Sequence, residues 1–454
     1  MAAEVDGEYA EDASLLDEVT NLVETPAVFR GSFAEEHLAL PPEVLTAVMK
    51  KHQRYFPVRR GGALLPYFLG VRNGDRIGLE SVVKGNEHVL RARYADAAYF
   101  VRRDLEHSLE HYREALSRLT FQTQLGSMLD KSQRVEMLVA KLAHALNLTS
   151  GERSSAVRAA HLCKADLMTE MVVEMTSLQG VMGEKYALRA GEPVDVAQAI
   201  REHYLPRQAD DGLPATRAGL AVGVADRLDT LVGLFAVGLQ PSGTKDPFAL
   251  RRAAIGLIQL LARTETAIDL RQGIELAAEG MTVTVTEAAR QDCLAFIIGR
   301  EEALFGEGRA YDVVAAVLAA QGHNPAAALQ AIDRLGEVVR LPSWPARLQA
   351  YARCMRITRS EAERHRVDAA RLHEAAEASL LEAVERAEAT SRRAGSVDDF
   401  LGAFDPLVPP ITRFFDEILV MAEEIPLRHS RLGLLQRIAA LSDGVAELSR
   451  LEGF

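Results

Sequence analysis

Apolar residues recurring every three or four positions dominate the chain from about Leu105 to its end, and this spacing commits most of it to helices that bury one face. Val135, Leu138, Leu142 and Leu146 form one such stripe. Leu250, Ala254, Leu257 and Leu261 form a second, and Leu434, Ile438, Leu441, Val445 and Leu448 a third. Between Asp368 and Arg393 a run rich in Ala, Glu, Leu and Arg predicts a long solvated helix. The N-terminal portion is patterned differently. From Asn21 to about Phe100, short apolar runs such as PAVFRGSF and YFPVRR alternate with turn signals at RGG, RNGD and KGNE, which predicts strands between short helices. The expected fold is mainly α with an N-terminal α+β part.

A chain of 454 residues exceeds what one core usually supports. Three parts are expected: an α+β region over 1–104, a helical domain over 105–340, and a C-terminal helical unit over 341–454, the last set off by LPSWP. Other loops are expected at RQADDGLP and GLQPSGTKDP. No run of about 18 apolar residues offers a membrane span. The acidic opening MAAEVDGEYAEDASLLDEV lacks the form of a secretory signal, so a cytoplasmic location is expected. Three scattered cysteines, Cys163, Cys293 and Cys354, exclude a disulfide framework or a CxxC zinc site. A net charge of −12 rules out a generally sticky polycation but not a local basic surface for nucleic acid.

The stretch HLCKADLMTEM (161–171) gathers His, Cys, Asp and Glu. On one continuous helix Cys163, Asp166, Glu170 and Glu174 would share a face, whereas His161 would point elsewhere. The potential ligands therefore split. A further aspartate pair, Asp226 and Asp229, lies one turn apart in ADRLDTL. Together with KSQRVEML (131–138) and LCKADLM (162–168), this resembles the layout of the HD phosphohydrolase helices, which hold a divalent metal through two histidines and two aspartates. Lys131 stands at the place of the first histidine and Ala165 at that of the second, leaving Asp166 and Asp226 without imidazoles. A lysine ammonium can replace the missing cation by ion pairing. The expectation is a degenerate site of Lys131, Ala165, Asp166 and Asp226, with no catalytic residue and no metal.

Basic residues supply other candidates. KKHQRYFPVRR (50–60) mixes cations with Tyr55 and Phe56, a combination suited to phosphate contact and base stacking; on a strand only one of the two rings would be available. Asp246 followed by Pro247 reads as a helix start, beside which Lys245, Arg251 and Arg252 would attract a phosphate. Arg353, Arg356 and Arg359, with Arg428 and Arg431, concentrate charge near the end. GVMG (180–183) is a weak match to the GxxG of some RNA-binding loops. No Walker-type phosphate loop, GxSxG turn or HExxH occurs.

Taken in order, HQRYFPV, KGNEHVLRARYADAAYF, FQTQLGSMLDKSQRV, CKADLMTEMVVEMTSLQGVMGEKYA, ADRLDTLVGLFAVGLQPSGTKDPFALRRAA and FFDEILVMAEEIPLRHSRLGLL resemble the β subunit of the bacterial tetrameric glycyl-tRNA synthetase. The resemblance implies part of a B3/B4-like domain over 1–104, a degenerate HD-type domain within 105–340, and a DALR-like anticodon-binding bundle over 341–454. It also implies two α and two β subunits. The α subunits would use ATP and Mg to make glycyl-adenylate, while the β subunits hold tRNA(Gly) and bind no cofactor. RNA contacts are then expected at His52, Arg54 and Tyr55 near the acceptor arm, and at Lys245, Arg251, Arg252, Arg353, Arg356, Arg428 and Arg431, with the last four toward the anticodon. The family commonly begins further upstream, so a shortened N-terminus is expected, and Ser430 stands where asparagine is common. Two other readings stay open: a metal-dependent HD phosphohydrolase, and a structural adaptor that binds the α subunit but no RNA.

Overall fold

The computed structural model describes residues 1–454 except Ala10, Ala209, Asp210 and Glu265; the side chain of His52 also lies outside the described residues. The chain forms two compact units, one of Met1–Ala143, Leu148–Leu205 and Asp211–Asp226, the other of His144–Asn147, Pro206–Asp210 and Arg227–Phe454. This division is coarser than the expected three parts, and its boundary falls inside a helix.

The first unit opens on strands β1 (Glu8–Tyr9), β2 (Pro26–Ser32), β3 (Phe56–Arg60) and β4 (Ala63–Asn73), which form an antiparallel sheet in the order β1-β3-β4-β2. Gly61 and Gly62, both with positive φ, close the β3–β4 hairpin in two residues, the turn whose twist matches its strands. Side chains alternate along β2, so Ala27, Phe29 and Gly31 face inward. Phe29 pairs with Gly70 and Phe68 with Gly31; each ring lies where a Cβ on the opposite glycine would stand. Between the strands run α1 (Ala13–Leu22) and α2 (Pro42–Gln53), and after them α3 (Leu79–Asp104), with α2 packing on β3 and α3 on β2.

Apart from a two-stranded hairpin, β5 (Thr120–Gln122) and β6 (Gly126–Ser127), the remainder of the unit is helical: α4 (Leu109–Ala115), α5 (Met128–Leu142), α6 (Ser150–Leu162), α7 (Glu170–Glu174), α8 (Val181–Arg189), α9 (Val194–Glu202) and the first half of α10 (Arg217–Ala236). A Ser127–Asp130 capping box starts α5 and a Thr149–Glu152 box starts α6. Val135, Leu138 and Leu142 are buried on α5 as their spacing predicts, each stabilising by roughly 1.5–3 kcal/mol. Leu146, also buried, lies beyond the helix end.

The second unit continues α10 and adds α11 (Leu250–Arg263), α12 (Leu270–Ala278), α13 (Glu287–Phe305), α14 (Tyr311–Gln321), α15 (Pro325–Val338), α16 (Trp344–Thr358), α17 (Ala375–Ala389), α18 (Val397–Phe404), α19 (Val408–Glu417) and α20 (Ile425–Ala439). The molecule is thus mainly helical with a small N-terminal sheet, and no helix among the described residues is long and apolar enough to cross a membrane. Leu250, Ala254, Leu257 and Leu261 are buried on α11. Two expectations need correction. The 368–393 stretch is α-helical only over Ala375–Ala389, after a 3-10 turn at Ala369–Arg371, and α17 buries Ala376, Leu380, Ala383, Val384 and Ala387 on one face while Ala375, Ala378, Glu382, Glu385 and Arg386 are exposed, so only part of it is solvated. The last apolar stripe is not one helix: α20 ends at Ala439, and 3-10 turns carry Leu441 and Leu448 into the core instead.

Candidate functional site

The first unit brings Lys131 and Asp226 together and adds a second lysine, Lys164. Buried Lys131 of α5 places Nζ 3.1 Å from Asp226 Oδ1 and 4.8 Å from the centre of the Phe121 ring. Lys164, also buried, places Nζ 3.0 Å from Asp226 Oδ2, 2.9 Å from His203 Nε2 and 4.3 Å from the Tyr204 ring. His203 Nδ1 lies 2.6 Å from the Ile200 carbonyl oxygen, which assigns the proton to Nδ1 and leaves Nε2 to accept from the Lys164 ammonium. Burial would raise the pKa of Asp226, but the charges of Lys131 and Lys164 outweigh it and hold the carboxyl well below the usual range.

Asp166 has a different task. Its Oδ2 accepts the backbone amides of Gly180 and of Gly183, the latter at 3.1 Å, and thereby ties the turn before α8 to the loop after α6. Burial pushes its pKa up to about 6 although both amides pull the other way. The GVMG amides that an RNA-binding loop would present are therefore already taken by a carboxylate.

A divalent metal needs lone pairs from oxygen or imidazole, and an ammonium has none to give. Lys131 and Lys164 put positive charge against both oxygens of Asp226, while Ala165 offers only a methyl group. The residues present do not fit an HD-type metal. Among the described residues no group of three or more His, Cys, Asp or Glu side chains is placed to hold one.

The expected shared face of Cys163, Asp166, Glu170 and Glu174 does not form, because the chain is not one helix there. After α6 ends at Leu162, a 3-10 turn spans Ala165–Met168, and Thr169 starts the short α7 by accepting from the Val172 amide. Buried Asp104 also accepts the amides of Glu170 (2.7 Å) and Met171 (3.1 Å) and the Tyr186 hydroxyl (2.7 Å). The break turns Lys164 inward beside Asp226. Sequence spacing misses Lys164 for this reason, and His203 because it closes a different helix, α9, outside any motif. His161 lies in a separate cluster, with Nδ1 2.9 Å from Glu136 and Nε2 3.0 Å from Glu110, and with Arg113 on Glu136 and Arg158 on Glu110.

The basic candidates fall into distinct groups. Arg54 is exposed, but its Nε lies 2.6 Å from Glu18. Tyr55 is buried, stacked on Phe68 at 4.4 Å with its hydroxyl on Asn86, and Phe56 is buried too, so neither ring can take a base. The helix expected at Asp246 begins at Leu250; Asp246 still caps it, accepting the Leu250 and Arg251 amides at 2.8 and 2.9 Å. Those amides are thus closed to an incoming phosphate, and Lys245 and Arg252 remain as exposed charges while Arg251 bonds the Gly243 carbonyl. In the C-terminal helices Arg353 lies over Phe415 at 4.4 Å and 3.6 Å from Asp416, Arg356 is exposed over Phe454 at 5.4 Å, and Arg428 is half-buried. Arg431 is buried. Its Nε lies 2.6 Å from buried Glu377 and its Nη1 donates to the Leu419 carbonyl at 2.7 Å, so the guanidinium braces the bundle and does not face a ligand. Ser430 is internal as well, accepting the Asp368 amide at 3.2 Å.

Comparison with known sequences identifies the family. The glycine–tRNA ligase beta subunit of Desulforudis audaxviator is 44% identical over 99% of this chain and 66% of its own length. That of Moorella thermoacetica is 41% identical over 99% of this chain and 67% of its own length. The chloroplastic/mitochondrial glycine–tRNA ligase 2 of Arabidopsis thaliana is 39% identical over all of this chain and 43% of its own. The chain thus spans about two thirds of the length of the bacterial relatives. A sequence model described as "Glycyl-tRNA synthetase beta subunit" matches residues 1–319, and with the relatives' identity over nearly the whole chain it follows that the chain belongs to the glycyl-tRNA synthetase beta subunit family.

Proposed function

We propose that this chain serves glycine–tRNA ligase by holding tRNA(Gly), while an α partner subunit, with ATP and Mg, activates glycine and transfers it. The observation that carries this reading is the pair of lysine ammonium groups on Asp226, where an HD-type hydrolase would keep its metal. The helices 105–340 then act as a degenerate HD-type scaffold, residues 1–104 as part of a B3/B4-like domain, and residues 341–454 as a DALR-like bundle directed to the anticodon. Two copies of each subunit fit the relationship. Exposed or half-buried Arg353, Arg356 and Arg428 suit the anticodon end, with Lys245 and Arg252 as further phosphate contacts. Arg431, buried on Glu377, is left out of that set. Holding the RNA at separate places raises the effective concentration of its acceptor end at the partner's active site.

Filter binding of the purified chain to tRNA(Gly) tests this. With about four phosphate contacts, affinity should fall about a hundredfold between 50 and 200 mM salt. Binding that ignores salt and does not distinguish tRNA(Gly) from other tRNAs would refute the reading.

A further inference from the structure

The long helix α3 carries a surface that none of the functions above uses. Its buried side is set by Leu90, Tyr94, Ala97, Val101 and Asp104. Nearly opposite, Lys84, His88, Arg91, Ala95, Tyr99 and Arg102 follow one another by four, three, four, four and three residues, and all six are exposed. At about 100° per residue they stay within one stripe, which runs for about 27 Å along the helix. Gly85 and Ala92, exposed beside them, keep the surface low. Glu80 and Glu87 border the Lys84 end of the stripe and Asp96 its other flank; among the described residues none of the three forms an ion pair with it, and Glu87 accepts from the Ser32 amide and hydroxyl at 2.7 and 2.8 Å.

Among the described residues many cations elsewhere are paired, whereas Lys84, Arg91 and Arg102 form no ion pair. Among the described residues the ion pairs of α3 are made by Arg103 alone, to Glu106 at 3.3 Å and Glu170 at 3.6 Å. Arg102 lies 5.5 Å from the centre of the Tyr99 ring, an exposed aromatic at the end of the row. Unpaired cations in line, small residues between them and one accessible ring match the demands of a ribose–phosphate backbone: charge neutralisation, close approach and a stacking surface.

We infer that the Lys84–Arg102 stripe of α3 is a phosphate-backbone contact surface for tRNA, positioning the RNA without reading its bases. This rests on the tRNA-holding reading and adds a site to it. Unlike the buried Tyr55, the stripe is accessible. Because phosphates carry no sequence, it serves tRNA(Gly) and other tRNAs alike.

The test compares the full chain with a Lys84→Ala, Arg91→Ala, Arg102→Ala triple variant, measuring binding of tRNA(Gly) and of a second tRNA from 50 to 300 mM salt. Denaturant melts report folding, and capture of the α subunit is measured in parallel. The variant should melt like the parent, bind both RNAs about tenfold more weakly or worse at 100 mM salt, and show a salt slope lower by about 2–3, at 0.7–0.9 per lost phosphate contact. A single Arg91→Glu variant should weaken binding in the same direction. If the parent binds tRNA and the variants match it in affinity and slope, the stripe assignment is wrong while the tRNA-holding reading stands. If the parent binds no tRNA, both fall. Loss of α-subunit capture with RNA binding intact would overturn the assignment in favour of a protein-docking face.

Discussion

Replacing Asp226 with Ala should destabilise the first unit by about 3–5 kcal/mol, because it strands two buried ammonium groups on one missing carboxylate. Lys131 and Lys164 lie 3.1 and 3.0 Å from its two oxygens. The side chain of Asp226 keeps 16% of its exposure, which favours the lower end of that range. Adding Lys131→Met and Lys164→Met to the variant should recover most of the loss, since apolar groups of similar length need no counter-charge. The pH dependence has a definite sign. The folded pKa of Asp226 lies below its ordinary 3.8, so its contribution is complete above about pH 4 and is lost as pH falls through the folded value. Asp166 acts oppositely: held up to about 6, it favours the folded state most at low pH and less as pH rises from about 4 through 6. Urea melts of parent, single and triple variants in excess EDTA or Mn²⁺ decide the matter. A parent stabilised by Mn²⁺ in an Asp226-dependent way would show that the carboxylate serves a metal, and an Asp226→Ala variant that melts like the parent would show that it does not hold the lysines.

The second large effect lies in the C-terminal helices. Arg431→Ala should cost about 3–5 kcal/mol, because Glu377, 1% exposed, loses the cation that neutralises it. Glu377 also receives the Glu374 amide at the start of α17, so the damage reaches a helix end. Arg431→Lys should recover only part of the loss, because one ammonium cannot reproduce a planar guanidinium that reaches both Glu377 and the Leu419 carbonyl. Half-buried Arg428 is the internal comparison, and its Ala variant should stay within about 0.5 kcal/mol of the parent. Denaturant melts of the three variants check this, and equal stability of Arg431→Ala and Arg428→Ala would refute the bracing role.

Sequence spacing reveals what depends on period alone. The stripes on α5 and α11 follow the three-and-four rule because each lies within one unbroken helix. Lys131 and Asp226 are likewise legible, since the resemblance to the HD helices puts a lysine at a histidine's place while keeping the aspartate. The rule fails where the chain leaves the helix. The turn after Leu162 rotates Lys164 toward Asp226, and the stop at Ala439 breaks a stripe that still ends up buried. Charge counting fails in another way. Arg431 and Arg428 are three residues apart in one basic stretch, yet a distant glutamate on α17 buries one and not the other. Tyr55 misleads similarly, because its stacking partner Phe68 lies across a hairpin. The α3 stripe stands in plain view within KGNEHVLRARYADAAYFVR, but only the buried side of the helix distinguishes an open row of cations from a paired one.

The central claim is that this chain adds grip on an RNA to chemistry done by another subunit. The direct measurement is glycine transfer to tRNA(Gly) by the α subunit, with ATP and Mg, in the presence and absence of this chain. The account predicts that adding the chain raises the rate and lowers the KM for tRNA, and that the chain alone transfers no glycine. An α-subunit rate indifferent to the chain, or divalent-metal-dependent turnover of a phosphate ester by the chain on its own, would contradict it.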